Sequence, residues 1–294
     1  MYNFQGYHEA TTLAEALALL AANPRLTVIA GGTDVLIKLR HGVIEGAELL
    51  SIRHIKSLEG VQKLEDGTIA IGPLTTFSRV AEDPVIKDHI PVLAEAALTI
   101  GGPQIRNVAT IGGNLCNGAT SADSAPTLFA LGARLKLKNN TGERVTPIQD
   151  FYLGPGKVAL KPGELLTQIL ISPEDYRGYG GHYIKFSQRR AMDIATLGVA
   201  VVCKVKEGRI LEDVRIGLGV AGPTPRRCPE AEAFAKGKAI TSETIATIGK
   251  LAVKAAQART SWRASREYRE HLVEELTQRA LREAIVKAGG EAIA

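Results

Sequence analysis

Apolar positions along the chain alternate between a helical and a strand period, and the changes of period lay out the elements. Leu13, Leu17 and Leu20 fall on one face of a segment that Thr12 and Glu15 open as a capping box and Pro24 closes, which predicts a helix. "LTVIAGG" then reads as a short buried strand entering a turn. "ELLSIRHI" and "GTIAIGPLTTF" predict further strands, with Asp66-Gly67 as the turn signal before the second. "TTFSRVAEDP" and "PVLAEAALTIGG" predict helices bounded by Pro or Gly. "NVATIGGNL" predicts a strand into a turn, "APTLFALGA" a helix, and "RLKLKN" and "RVTPIQDF" strands.

Gly, Pro and Tyr cluster at "SPEDYRGYGGHY", residues 172–183, and a domain boundary is expected there, dividing 1–175 from 176–294. Beyond it "HYIKFSQ", "ATLGVAVVCKVK" and "DVRIGLGVAG" predict three strands, with Glu207-Gly208 as a hairpin turn. Two helices follow. One runs from Ser242 to about Ala258; the other starts at Ser265, carries Leu272, Leu276, Ala280 and Ile285, and ends at Gly289-Gly290. The order is an α+β first domain, then strands followed by helices, in keeping with the two cores expected of 294 residues.

Composition narrows the classes. Apolar stretches such as "IATLGVAVVC" are about half of the ~20 residues a membrane span needs. No basic segment followed by an apolar core opens the chain, and Cys116, Cys203 and Cys228 form no C-x-x-C, so a cytoplasmic protein without disulfides is expected. A net charge of +5 would permit a nucleic-acid partner, but aromatics are only 5% of the chain, so stacking side chains are scarce and no nucleic-acid partner is expected. The densest basic stretch, "RTSWRASREYR" at 259–269, is expected to open a helix, as a solvated face or a docking surface for a protein partner.

Familiar catalytic motifs are missing. "GLGVAG" at 217–222 fits G-x-G-x-x-G, but the prolines of "PTPRRCP" forbid the helix a dinucleotide fingerprint needs. There is no P-loop, no G-x-S-x-G, and no spacing among the 6 histidines that builds a metal site. With no acid, base and nucleophile set, and no metal expected, catalytic residues are expected to lie elsewhere, and the chemistry falls to a bound cofactor. Two glycine pairs fit that role. "IAGGTD" and "TIGGN" each follow an apolar run and are trailed by polar side chains, Thr33 and Asp34 in one, Asn114 and Asn117 in the other. Such turns use glycine for sterics or for close approach to a ligand, with consecutive N–H groups forming an anion nest. Two converging turns would enclose the two phosphates of a dinucleotide.

The blocks "AGGTDVLIKLR", "GPQIRNVATIGGNLCNGATSADSAP", "GPGKVAL", "QRRAMDIATLGVA", "GVAGPTPRRC" and "TSWRASREYREHL" come in the order found in the FAD-binding subunits of molybdenum hydroxylases. The resemblance covers essentially the whole chain, and the wording looks most like the separate FAD subunits of bacterial xanthine dehydrogenases. It implies a two-part FAD-binding domain of the vanillyl-alcohol-oxidase type, divided near residue 56, and then a C-terminal domain of three antiparallel strands and helices. It also implies FAD on this chain, NAD as acceptor, and molybdenum cofactor and [2Fe-2S] clusters on partner subunits. A related substrate (carbon monoxide, nicotinate, an aldehyde) or a stand-alone FAD oxidoreductase is the alternative.

Carried over residue by residue, the resemblance makes Ala30, Gly31, Gly32, Thr33 and Asp34 the first pyrophosphate loop. Thr110, Ile111, Gly112, Gly113 and Asn114 make the second. Asp123 matches an aspartate that holds the cofactor's sugar-alcohol chain or ribose hydroxyls, and the stretch from Lys185 to Ile194 matches a loop that approaches the flavin ring. The charges of that loop, Arg189, Arg190 and Asp193, equally suit a solvated hairpin tip. The chain departs from the fused xanthine enzymes at Met192, where an acidic residue is expected, and its scattered cysteines cannot hold the extra cluster of 4-hydroxybenzoyl-CoA reductase. Cys116, beside the second loop, is expected to be a packing residue rather than a flavin attachment point. Arg259, Arg263, Arg266 and Arg269 recur at helical spacing around Trp262, which is expected either to anchor a partner or to pack the last two helices together.

Overall fold

Three main sheets, each with its own helices, and a two-stranded ribbon of Tyr152–Gly154 with Lys157–Val158 build the described part of the molecule; a computed structural model describes residues 2–292. The first sheet is parallel and three-stranded. Ala47–Ser51 lies at its centre between Phe4–Glu9 and Thr27–Ile29. Parallel neighbours need crossovers, and the helices Leu13–Ala22 and Val35–Arg40 supply them. Thr12 caps the first of these as a capping box with Glu15, and Ala16, Leu17 and Leu20 are buried with Leu50, Ile55 and Leu58.

The second sheet is antiparallel, in the order Val61–Lys63, Ile69–Ile71, Leu165–Ile171, Arg134–Lys138, Glu143–Pro147. Its core gathers Ile69, Ile71, Leu135 and Ile169 with Phe77, Leu93, Leu128 and Phe129 from the helices that cover it. The third sheet pairs Gly180–Phe186, Leu197–Lys206 and Ile210–Gly219 antiparallel, and a two-residue strand Arg226–Arg227 extends the three strands expected. Glu207 and Gly208 turn the hairpin with φ of 54° and 71°, the positive pair that a tight two-residue turn demands.

Strand Leu197–Lys206 joins the halves. Leu197, Val199, Val201 and Cys203 pack into the C-terminal core with helices Ser242–Val253 and Arg266–Lys287. Ala200 and Val202, on its other face, belong to the core of the second sheet. Gly217 sits in that contact: a Cβ there would stand 2.0 Å from the Pro126 carbonyl oxygen. Gly217 and Gly219 of "GLGVAG" therefore serve strand–helix packing against Pro126, and no helix begins within the motif.

Several expectations need correction. "NVATIGGNL" is not a strand into a turn. Ile111–Cys116 is helical, capped by the Thr110 hydroxyl accepting from the Gly113 N–H. The helix from Ser242 stops at Val253 instead of near Ala258. "RTSWRASREYR" is helical only from Arg266, because Ser265 is the N-cap, and a bridge between Ser261 and Ala264 precedes it. Its arginines thus share no helical face. Arg269 is buried, donating to the Val220 carbonyl and the Ser261 hydroxyl. Trp262 does not pack the last helices together: it is 80% exposed, with the Arg263 guanidinium 4.1 Å from its ring centroid.

Candidate functional site

A cavity of about 510 Å³ opens between the first and second sheets, inside the size range of small-molecule sites. Its walls are mainly apolar, with Val28, Ile44, Phe77, Ile100 and Leu160 among them. Polar groups converge where the two glycine pairs meet. Ala30, Gly31, Gly32, Thr33 and Asp34 line one side; Thr110, Gly112, Gly113 and Asn114 line the other. The two turns touch: a Cβ on Gly31 would stand 1.9 Å from the Val108 carbonyl oxygen.

The first turn offers backbone. Gly32 has φ of 75°, and among the described residues the N–H groups of Gly32, Thr33 and Asp34 meet no protein acceptor. Free amides around a left-handed glycine, at the start of helix Val35–Arg40, form a nest for an anion. The second turn has spent its amides. Ile111 donates to the Thr75 carbonyl at 3.0 Å, Gly112 to Pro73 at 2.8 Å, and Gly113 to the Thr110 hydroxyl at 3.1 Å. What it presents is side chains. The Thr110 hydroxyl has its proton to give, and Asn114, whose Oδ1 accepts from Ser124 at 2.7 Å, has its Nδ2. Gly113 leaves room, since a Cβ there would meet only Thr110 Oγ1, at 2.8 Å.

Three expected residues stand behind the wall. Ile111 is fully buried in the core of the second sheet. Asp123 and Lys185 form a buried ion pair at 2.8 Å, with Tyr183 donating to Asp123 and Lys185 also donating to the Thr99 carbonyl at 3.0 Å. Burial pushes the Asp123 carboxyl up while Lys185 and Tyr183 pull it down. Thr99 leads into Ile100 and Gly101, which line the cavity, so the pair braces one end of it. The loop after Lys185 folds over the same end: Met192, at φ 53°, donates its N–H to the Gly101 carbonyl, and Ile194 lines the cavity. Asp193 organises this turn by accepting from the N–H groups of Arg189 and Ile194, while Arg189 and Arg190 are exposed.

Other lining residues carried no signal of their own. Lys38 is the one cation on the wall among the described residues, and its ammonium reaches Asn117 Oδ1 at 2.6 Å across the cavity. Glu164 lines it too, paired at 2.8 Å with Arg144. Cys116 also borders the cavity, and burial pushes its thiol up to about 12, which keeps it protonated and unreactive near neutral pH. No group of three His, Cys, Asp or Glu among the described residues could hold a metal ion, and no helix is long and apolar enough to cross a membrane.

Residues 2–173 match the family model of the FAD binding domain in molybdopterin dehydrogenase, and 182–284 that of the CO dehydrogenase flavoprotein C-terminal domain. The chain belongs to the FAD-binding subunits of the molybdenum hydroxylases. Among the relatives of this flavoprotein subunit, the xanthine dehydrogenase FAD-binding subunit of Escherichia coli O157:H7 is 43% identical over 99% of each chain. The glyceraldehyde dehydrogenase medium chain of Sulfolobus acidocaldarius is 32% identical over 94% of this chain and 97% of its own. A solved carbon monoxide dehydrogenase from Hydrogenophaga pseudoflava superimposes with a TM-score of 0.92, at 29% identity over 98% of this chain and 99% of that one. The flavoprotein subunit therefore shares a fold across enzymes named for different substrates.

Proposed function

We propose that this chain is the FAD-carrying electron-transfer subunit of a multi-subunit xanthine dehydrogenase, with 1–175 as its cofactor-binding part. The observation that carries the reading is the 43% identity, over 99% of both chains, to a xanthine dehydrogenase FAD-binding subunit. The cavity suits the cofactor, because an unspent amide nest faces a turn where glycine leaves room for a phosphate. FAD would supply the redox chemistry, accepting electrons relayed by [2Fe-2S] clusters from a molybdenum centre on partner subunits and passing them to NAD.

The chain's own residues then bind and shield. The N–H groups of Gly32, Thr33 and Asp34 would hold the diphosphate from one side, and the Thr110 hydroxyl and Asn114 amide from the other. Asp123 and Lys185 hold the Ile100–Gly101 end of the wall in place from behind. Ile100, Ile105 and Ile194 keep water from it. Exposed Trp262, stacked with Arg263, is the place where we expect a partner subunit to dock, in the cytoplasm.

Co-expression with the two partner subunits tests the reading. One FAD per chain, released fully by acid precipitation, and xanthine-dependent NAD reduction are expected. Flavin held in the pellet would mean covalent attachment, with Cys116 the nearest candidate. Trp262→Ala with Arg263→Glu should lower subunit association while FAD stays bound; full association would place the docking face elsewhere. A second reading, a related hydroxylase acting on another substrate, draws on the glyceraldehyde and carbon monoxide dehydrogenase chains at 30–32% identity. Turnover of an aldehyde, nicotinate or carbon monoxide without turnover of xanthine would establish it.

A further inference from the structure

Lys38 is one turn beyond the amide nest, on helix Val35–Arg40, and its ammonium lies across the cavity on Asn117 Oδ1 at 2.6 Å. Asn117 is the C-cap of helix Ile111–Cys116, so this contact ties the first sheet's unit to the second turn across 79 positions of sequence. The partner is neutral. A cation beside a helix C-terminus gains from the helix dipole, but an amide oxygen holds an ammonium far less strongly than an anionic oxygen does.

The remaining charges of the wall sharpen the point. Asp34 and Glu164 are the acids on it, and Glu164 is held at both oxygens by Arg144. Asp34 makes no capping bond. Within this cavity a diphosphate entering the nest would meet Lys38 as the one lining cation among the described residues; Arg53 and Lys56 line a separate, smaller pocket that shares Ala30, Gly31 and Thr110 with it. Side chains on a helix lean toward its N-terminus, so a rotamer change carries the ammonium back over the first turn, where the nest lies.

On the reading that the cavity takes FAD, we propose that Lys38 is the cofactor's charge clamp: its ammonium leaves Asn117 for the diphosphate when the dinucleotide binds. Lys38 then favours flavin carrying the diphosphate over riboflavin, and Asn117 is only its resting partner.

Titration of the deflavinated full chain, followed by flavin fluorescence, tests this, with ADP as a competitor that carries the diphosphate without the ring. Lys38→Gln should weaken FAD and ADP by about tenfold or more at low salt, with the difference from wild type shrinking as salt rises. Riboflavin binding should be unchanged. Lys38→Arg should stay within about threefold, and so should Asn117→Ala, which removes the resting partner and keeps the cation. Equal losses for FAD and riboflavin in both Lys38→Gln and Asn117→Ala, independent of salt, would overturn the proposal and make the pair a strut between the two units. FAD binding by Lys38→Gln equal to wild type would overturn it as well. A wild-type chain that binds no FAD would instead defeat the functional reading on which the proposal rests.

Discussion

Gly31-Gly32 and Gly112-Gly113 look interchangeable in the sequence, yet they need glycine for different reasons. In the first pair Gly31 is pressed against the Val108 carbonyl and Gly32 takes a left-handed φ of 75°, and the amides of Gly32, Thr33 and Asp34, residues that line the cavity, meet no protein acceptor among the described residues. In the second, Gly112 is pressed against Pro73, where a Cβ would lie 2.3 Å from that ring's Cβ, and the amides are consumed inside the protein. One turn keeps its amides free of protein partners. The other is a packed helix start that lends side chains. A dipeptide thus identifies a place where backbone comes close to something, and only the hydrogen-bond accounting says whether that something is protein or ligand.

The largest effects should come from the two glycines in backbone contact. Gly31→Ala puts a methyl at 1.9 Å from a carbonyl oxygen, and Gly112→Ala puts one against a proline. Each should destabilise the folded chain by about 3 kcal/mol, at the upper end of overpacking costs, and thermal unfolding of the apoprotein reads this directly. An unchanged midpoint for Gly31→Ala would mean that the turns do not touch, and one for Gly112→Ala that the second turn is not packed on Pro73. Gly32→Ala should cost about 1 kcal/mol for its left-handed backbone, with a further loss of FAD because the nest is distorted. Gly113→Ala separates the pairs most cleanly. Gly113 has ordinary helical backbone and helix propensity favours alanine, but a Cβ there would stand 2.8 Å from the Thr110 hydroxyl that caps the helix, so the change should cost about 1 kcal/mol, the worth of a cap. FAD content should fall as well, since the methyl crowds the Thr110 hydroxyl that faces the cavity. Full FAD content in Gly113→Ala, with loss in Gly32→Ala, would assign the phosphate to the first turn alone.

The same contrast explains what could be read in advance. Capped helices were legible, since Thr12 and Ser265 announce their starts by local chemistry, and so was the Glu207-Gly208 hairpin. Helix Ile111–Cys116 was not, because two glycines weaken its propensity and what holds it is tertiary: Thr75, Pro73 and the Thr110 cap. Strand Phe4–Glu9 is an exposed edge with no apolar alternation, and Leu165–Ile171 lies at the sheet's centre as a nearly continuous apolar run. Arg269 carries a surface residue's name but is buried on hydrogen bonds to Val220, 49 positions away, and to Ser261. In the site, the glycine turns stood out through their pattern and the family resemblance. Lys38 and Glu164 did not, because their partners Asn117 and Arg144 come near only in the folded chain.

The smallest predicted effect concerns that last pair and the acidic edge of the cavity. Glu164 accepts from the Arg144 guanidinium at both oxygens and from the Lys161 N–H, and these bonds, Arg144 first, hold its carboxyl below the usual carboxylate range against the opposing pull of burial. A carboxyl whose pKa is lower folded than unfolded stabilises the fold above its unfolded value, about 4.3, and loses that contribution as pH falls through the folded value. Arg144 is partly exposed, so solvent screening limits the pair to about 1 kcal/mol. Glu164→Gln should therefore unfold more easily than wild type at pH 7, and the gap should close as pH drops below about 4. Because Glu164 borders the cavity while Arg144 neutralises it, the same variant should bind FAD at neutral pH within about threefold of wild type. A large gain in FAD affinity would mean that Glu164 repels the diphosphate despite its partner, which would move the anionic site away from the glycine turns and toward Leu160 and Leu165. A stability gap that persists undiminished into acid would show that the carboxyl is held by packing rather than by charge.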